Sequence, residues 1–239
     1  MKALIFDCDG VLVDTERDGH RVSFNRAFSE FGLDTFWDVE LYGELLKVAG
    51  GKERIRAYFE TAGWPKSASN VDAFVADLHK RKTEIFMDII ASGQLPLRSG
   101  ILRLVDEASA AGVRLGVCTT SNAKSVAGVL DLMGAARKNK FEFVLAGDVV
   151  SKKKPDPEIY VLARNRLGLP GSDCVVIEDS RNGLLAALGA GMRCLITTST
   201  YTIDEDFEGA ARVVPELGDP PNVLVSLADL ESLTASGRA

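Results

Sequence analysis

The chain has 239 residues, 46% of them hydrophobic, and a formal net charge of −6. Its length fits one domain plus an insertion, and its acidic balance argues against non-specific nucleic-acid binding, which depends on Lys and Arg. No apolar run reaches the length of a bilayer span, and the chain opens in a strand pattern rather than a signal peptide. We therefore expect neither nucleic-acid nor membrane partners.

The first predicted element is a short apolar strand, Ala3 to Phe6, which ends in the carboxylates Asp7 and Asp9. Side chains two residues apart on an extended backbone point the same way, so the two acids can share one site. Gly10 allows a sharp turn after them. Two acids that simply end a strand in solvent give the same pattern. The evidence for a functional site at Asp7 and Asp9 therefore depends on later segments of the chain.

Strand patterns are absent between about Asp14 and Gly93, where helical patterns replace them. This change predicts an α-helical cap domain, residues 15–94, inserted into a core formed by residues 1–14 and 95–239. The predicted helices of the cap span residues 18–31, 53–62 and 71–91.

Helices and strands alternate after Gly100, which is typical of a doubly wound parallel α/β sheet with its site at the carboxyl ends of the strands. The predicted strands span residues 113–118, 143–146, 175–177 and 193–197. The predicted helices span residues 101–111, 121–133, 157–167 and 181–190.

Polar side chains follow the strand at 113–118, where Thr119, Ser121 and Asn122 lead into a helix. Hydroxyls, the amide and the backbone N–H groups of a helix start can all donate to a phosphate. Ordinary helix capping by the same residue types is the alternative.

Two further segments carry charge at predicted strand or helix ends. Lys154 precedes Pro155, which can open a helix, although a lysine run is often a solvated surface. Glu178 and Asp179 form a second acidic strand end, and a second acid pair in one sheet favours a hard divalent cation such as magnesium.

The predicted cap has its own basic cluster. Gly51, preceded by another glycine, opens a helix with Lys52 and Arg54, which favours a second anion site; a loop with exposed basic side chains is the alternative. His20 is expected either to bind a sugar hydroxyl or to be structural. Residues 79–82 are expected to form a solvated helix face, although Lys82 is a further substrate candidate.

The four cysteines lie in or beside predicted strands and have no metal-binding spacing. We expect buried thiols in a reducing compartment. They are Cys8, Cys118, Cys174 and Cys194.

Together these motifs resemble the haloacid dehalogenase superfamily of aspartate-nucleophile phosphatases and phosphomutases. The matching segments are Asp7-Cys-Asp9-Gly10-Val, Thr119, Lys154-Pro-Asp-Pro and Glu178-Asp179. The resemblance implies a Rossmann-like core with an inserted helical cap. It also implies that Asp7 attacks phosphorus, that Asp9 is the general acid and base, and that Thr119 and Lys154 complete the catalytic set.

The same resemblance implies a Mg²⁺ cofactor. Its ligands would be the carboxylates of Asp7 and Asp179 and the main-chain carbonyl of Asp9. Glu178 is expected to orient metal-bound waters or Lys154.

Within the superfamily, the chain is similar to the CbbY-type xylulose-1,5-bisphosphate phosphatases, which remove a Rubisco inhibitor. Cap segments that carry this likeness are Trp37-Asp-Val, Leu41-Tyr42-Gly-Glu-Leu-Leu, Gly50-Gly-Lys-Glu-Arg54 and Gly63-Trp-Pro. The likeness implies hydrolysis of a sugar bisphosphate to xylulose 5-phosphate. The implied substrate-binding residues are Asp7, Glu16, His20, Tyr42, Gly51, Lys52, Arg54, Thr119, Ser121, Asn122 and Lys154.

Other functions stay open on the sequence. A β-phosphoglucomutase-like phosphomutase shares the same motifs, and a non-catalytic sugar-phosphate sensor would keep the same pocket. A dehalogenase needs no metal, and Glu178 with Asp179 argues against it. We expect a monomer with a functional, not necessarily physical, link to Rubisco. The expected location is the chloroplast stroma for a photosynthetic eukaryote and the cytoplasm for a bacterium.

Overall fold

The computed structural model describes residues 1–93 and 95–235, apart from the side chain of Ala235. The chain divides into two compact units, Met1–Asp14 with Pro96–Ala239 and Thr15–Leu95. Residue 94, at the end of the predicted cap, and residues 236–239 of the predicted core lie outside the described residues. None of the described helices has an apolar stretch of the length that crossing a membrane requires.

The first unit is built on a parallel sheet, which within residues 1–93 and 95–235 has six strands in the order β3-β2-β1-β4-β5-β6. The strands are β1 (Ala3–Phe6), β2 (Arg114–Thr119), β3 (Phe141–Ala146), β4 (Cys174–Glu178), β5 (Arg193–Thr197) and β6 (Arg212–Val214). The doubly wound α/β fold predicted from the sequence is confirmed, and β6 is an addition to the predicted strands.

Strand β1 is completely buried, which requires cover on both faces of the sheet. Ala3 and Ile5 belong to the core cluster that also holds Ile159, Tyr160 and Leu184 from the flanking helices. The α-helices of this unit are α5 (Ile101–Ala110), α6 (Ala123–Asp131), α7 (Ala135–Lys138), α8 (Glu158–Leu167), α9 (Arg181–Gly189) and α10 (Leu227–Ala235).

The second unit is helical and has an aromatic core. The rings of Phe24 and Phe28 lie 4.7 and 4.8 Å from that of Trp37. Instead of one helix over 18–31, the chain forms a π-helical turn, Glu16–His20, followed by a separate helix. The α-helices are α1 (Arg21–Glu30), α2 (Val39–Leu45), α3 (Gly51–Ala62) and α4 (Val71–Ala91).

Two predicted helix starts in the first unit are shifted. The helix expected from Ser121 begins at Ala123, because the Asn122 side chain caps it by accepting from the Lys124 N–H. The helix predicted from Pro157 begins one residue later, at Glu158, and Pro155 lies before it.

Candidate active site

The turn after β1 brings its acids to the carboxyl end of the central strand. The Asp7 N–H donates to the Ile177 carbonyl at 2.9 Å, which continues the pairing with β4. Gly10 has φ +79°, and a Cβ there would lie 2.0 Å from Oδ2 of Asp179. The turn therefore needs glycine at position 10, and its backbone lies directly against the second acid pair.

Lys154 joins the two acidic strand ends. Its Nζ lies 2.5 Å from both Asp7 Oδ1 and Glu178 Oε1, and it donates to the Cys118 carbonyl at 2.9 Å. All three charged side chains are buried. The Tyr160 hydroxyl also donates to Glu178 Oε1, at 2.6 Å, a contact that the sequence analysis missed.

Burial sets the proton affinities of this cluster. Burial raises the pKa of Asp7 well above its ordinary value, the Lys154 ammonium opposes this, and the charges of Glu178 and Asp9 add to it. Burial lowers the pKa of Lys154, but the Asp7 and Glu178 carboxylates more than reverse that effect and raise it overall. The cluster thus combines a permanently charged lysine with a nucleophile candidate that resists ionisation when no other cation is present.

Asp9 lies beside the end of β2. The Ser121 hydroxyl donates to Asp9 Oδ2, and the Ser121 N–H donates to Thr119 Oγ1 at 3.1 Å. Thr119 is buried, whereas Asp9 is partly exposed. The side-chain oxygen of Asn122 caps α6, so the alternative of ordinary helix capping is correct for that atom.

The buried acids fit a hard divalent cation. Asp7, Glu178 and Asp179 each offer a carboxylate oxygen, and these atoms lie within 4.8 Å of one another. Lys154 neutralises part of the charge of Asp7 and Glu178, and three carboxylate oxygens suit magnesium. The Asp9 carboxylate contacts Ser121 instead, which leaves the predicted main-chain role of Asp9 as a prediction.

In the helical unit, three predicted substrate residues form a chain of hydrogen bonds. The Tyr42 hydroxyl donates to Glu16 Oε2 at 2.5 Å and accepts from Arg54 at 3.0 Å. Arg54 also donates to the carbonyls of Leu45 and Val48, at 3.0 and 3.3 Å. Arg54 is therefore buried and bonded, and the alternative of an exposed basic loop is wrong for this residue.

His20 and Lys82 form a second buried contact in this unit. Lys82 Nζ lies 2.7 Å from His20 Nδ1 and 4.7 Å from the centre of the Phe24 ring. An ammonium group only donates, so His20 accepts at Nδ1. His79 and Lys82 are both buried, and the predicted solvated face over residues 79–82 is wrong for these two positions.

Close packing gives a structural reason for the glycine at position 51. Gly51 begins α3 after Gly50, and a Cβ at Gly51 would lie 2.6 Å from His79 Nε2. Lys52 occupies the next position of the helix and is partly exposed. The role of this helix start in binding an anion stays a prediction.

All four cysteines are free and buried, as predicted. Burial raises the pKa of each thiol, to about 11 for Cys174. A thiol is a poor nucleophile under these conditions, so the acids and the lysine carry the reactivity of this site.

A parallel sheet with buried acids and one lysine at the carboxyl ends of its central strands defines an α/β enzyme site. Residues 1–191 match the model of the family described as "haloacid dehalogenase-like hydrolase", and the chain belongs to this family. It is therefore a hydrolase.

Curated relatives cover nearly the whole chain. A "CBBY-like protein" of Arabidopsis thaliana is 55% identical over 97% of this chain and 74% of its own length. "Protein CbbY" of Rhodobacter capsulatus is 45% identical over 91% of this chain and 94% of its own length.

Solved structures show the same fold. CbbY from Rhodobacter sphaeroides in complex with phosphate has a TM-score of 0.89 and 40% identity, covering 97% of this chain and 99% of its own. A mutant of that protein in complex with xylulose-(1,5)bisphosphate has a TM-score of 0.88 and 42% identity, covering 96% and 99%. A β-phosphoglucomutase from Clostridium difficile, 20% identical with a TM-score of 0.79, shares the fold.

Proposed function

We propose that this chain is a magnesium-dependent phosphatase that converts xylulose 1,5-bisphosphate to xylulose 5-phosphate through an aspartyl-phosphate intermediate. The choice of substrate rests on one observation. A solved structure that is 42% identical and covers 96% of this chain was crystallised with xylulose-(1,5)bisphosphate. The buried contact between Lys154 and Asp7 supports the reaction type.

In the proposed first step, an oxygen of the Asp7 carboxylate forms a bond to phosphorus while the bond from phosphorus to the sugar oxygen breaks. Asp9 gives its proton to that leaving oxygen. The Ser121 hydroxyl, which donates to Asp9, holds the acid in place. The Lys154 charge beside Asp7 stabilises the negative charge of the transferring group.

In the second step, Asp9 takes a proton from water, and the water oxygen attacks the phosphorus of the aspartyl phosphate. This releases inorganic phosphate and restores the Asp7 carboxylate. Splitting one displacement into two lowers each barrier. Thr119 is buried at the end of β2 and is proposed to donate to a phosphoryl oxygen.

Magnesium fits the proposed site, with Asp7, Asp179 and the Asp9 carbonyl as ligands and Glu178 outside them. When bound, the ion would neutralise charge on the phosphoryl group and on the buried acids. The buried carboxylate oxygens of Asp7, Glu178 and Asp179, which lie within 4.8 Å of one another, support this assignment.

The remaining substrate residues belong to the helical unit. We propose that they bind the sugar and the second phosphate, with Lys52 and Arg54 supplying positive charge. The others are Glu16, His20, Tyr42 and Gly51. We also propose a monomer whose link to Rubisco is functional, located in the chloroplast stroma of a photosynthetic eukaryote or in bacterial cytoplasm.

The reaction is tested by phosphate release from xylulose 1,5-bisphosphate, ribulose 1,5-bisphosphate, β-glucose 1-phosphate and simple monophosphates, with and without magnesium. We expect strong preference for xylulose 1,5-bisphosphate and loss of activity on Asp7→Asn or on chelation. The matched control is Asp131→Asn, an aspartate paired with Lys138 at 2.6 Å on the surface. Isomerised glucose phosphate would instead favour the mutase, and no turnover of any substrate would return the non-catalytic sensor as the alternative.

The second phosphate is tested separately with Lys52→Ala. We expect this change to raise KM for the bisphosphate and to leave KM for a monophosphate unchanged. Lys80→Ala is the control because Lys80 is exposed on α4. Equal effects of Lys52→Ala on both substrates would contradict the assignment.

A further inference from the structure

Two buried hydroxyl groups lie next to the proposed metal site, in the segment that follows β5. Ser199 and Thr202 are 5% and 6% exposed. The Ser199 hydroxyl donates to Oδ2 of Asp179 at 2.6 Å, and the Ser199 N–H donates to Thr202 Oγ1 at 2.8 Å. The two hydroxyl oxygens lie 3.1 Å apart.

The direction of these hydrogen bonds follows from a count of protons. Ser199 has one hydroxyl proton, which goes to the carboxylate of Asp179. The Thr202 hydroxyl must therefore donate to the Ser199 oxygen while it accepts from the Ser199 N–H. Thr202 thus fixes the rotation of the Ser199 hydroxyl, and the proton points at Asp179.

Asp179 is held from a second side by the main chain. The backbone of Gly10 is so close that a Cβ there would overlap Oδ2 of Asp179. Arg98 in turn donates to the carbonyl of Gly10 and to that of Thr198, the latter at 2.8 Å. The carboxylate therefore lies between a braced turn and an oriented hydroxyl, which restricts its rotation.

We propose that Ser199, oriented by Thr202, is a positioning residue that sets the orientation of the Asp179 carboxylate for binding a divalent cation. The inference deepens the proposed function and rests on its assignment of Asp179 to magnesium. Hydrogen-bond partners of metal ligands commonly change metal affinity or activity 10- to 100-fold when removed. Neither Ser199 nor Thr202 was singled out by the sequence.

The test measures metal binding directly, by calorimetric titration of the metal-free protein with magnesium chloride and by electron paramagnetic resonance with Mn²⁺. We expect Ser199→Ala to weaken binding about 10- to 100-fold. Thr202→Val should weaken binding less, and Thr202→Ser should restore it. In turnover, kcat at saturating magnesium should recover while the half-activating magnesium concentration rises.

Ser226→Ala is the matched control, because Ser226 donates to Asp229 at 2.7 Å in the same unit. Unchanged metal affinity in both Ser199→Ala and Thr202→Val would overturn the inference, even if activity fell. Equal loss of affinity in Ser226→Ala would also overturn it, since the effect would then follow stability alone. A wild-type protein that turns over substrate without binding metal would reject the magnesium assignment itself, and the inference with it.

Discussion

Lys154→Met removes the positive charge between two buried carboxylates and keeps most of the aliphatic chain. The Lys154 ammonium lies 2.5 Å from carboxylate oxygens of both Asp7 and Glu178. The exposed fraction of the side chain is 6% for Lys154, 9% for Asp7 and 1% for Glu178. Removing one partner of a buried ion pair costs about 3–5 kcal/mol. Because Asp7 can take up a proton, we expect the metal-free variant to lose stability near the lower end, about 3 kcal/mol.

The sign of the pH dependence follows from Asp7. Its folded-state pKa is raised by burial, and the variant lacks the opposing charge of Lys154. The folded variant therefore binds a proton more tightly than the unfolded chain does. Its free energy of unfolding should fall as the pH rises from the unfolded-state pKa of Asp7 through the raised folded-state value.

Urea unfolding of the metal-free proteins at several pH values between about pH 5 and pH 8 measures both the loss of unfolding free energy and its dependence on pH. Lys152→Met is the matched control, since the Lys152 side chain is 73% exposed. Equal unfolding free energies for the two variants at every pH would refute the reasoning. Catalytic activity should be lost only in Lys154→Met.

Three further outcomes are expected. Arg98→Met should lower kcat about tenfold, because the carbonyl of Gly10 loses its hydrogen-bond donor. Arg98→Lys should recover little of this activity, because a single ammonium group cannot replace the several N–H donors of a guanidinium group. An unchanged kcat in Arg98→Met would contradict this. Gly116→Ala should lower the free energy of unfolding by about 1–3 kcal/mol, because the new Cβ would overlap the Phe143 ring; a melting temperature equal to that of the wild type in thermal unfolding would contradict this. Iodoacetamide at pH 8 should label none of the 4 thiols in the native protein within an hour and all of them in denaturant. All four are buried, and burial raises the pKa of the thiols, to about 11 for Cys174. Rapid labelling of the native protein would contradict this.

The acids were predictable because Asp7 and Glu178 lie at the ends of short apolar strands, and the ends of neighbouring parallel strands share one edge of a sheet. Lys154 lies in the loop between β3 and α8, and its motif alone singled it out; the structure brings its ammonium to both Asp7 and Glu178. Tyr160 was not predicted, because a tyrosine on a helix face has the pattern of an ordinary core residue. Only the fold shows that its hydroxyl reaches Glu178.

Charge in the helical unit was the less reliable signal. Lys82 lies in a run of basic residues that is typical of a solvated helix, yet its ammonium is buried beside His20 and the Phe24 ring. These partners lie far away in sequence, and no local pattern links them to Lys82. Strand β6 was missed for a related reason, because three residues at the edge of a sheet carry too little periodicity to be detected.

The order of the strands has a consequence for biosynthesis. Strand β1, which carries Asp7, pairs with β2 and β4, and both are made after it. At about 5–20 residues per second, a ribosome needs roughly 9–35 seconds to travel from the nucleophile turn to the end of β4. Throughout that time β1 lacks its neighbour β4, although β2 is made earlier. Nascent chains that stop before β4 should therefore bind chaperones and lack activity, and the catalytic cluster should form only when β4 arrives.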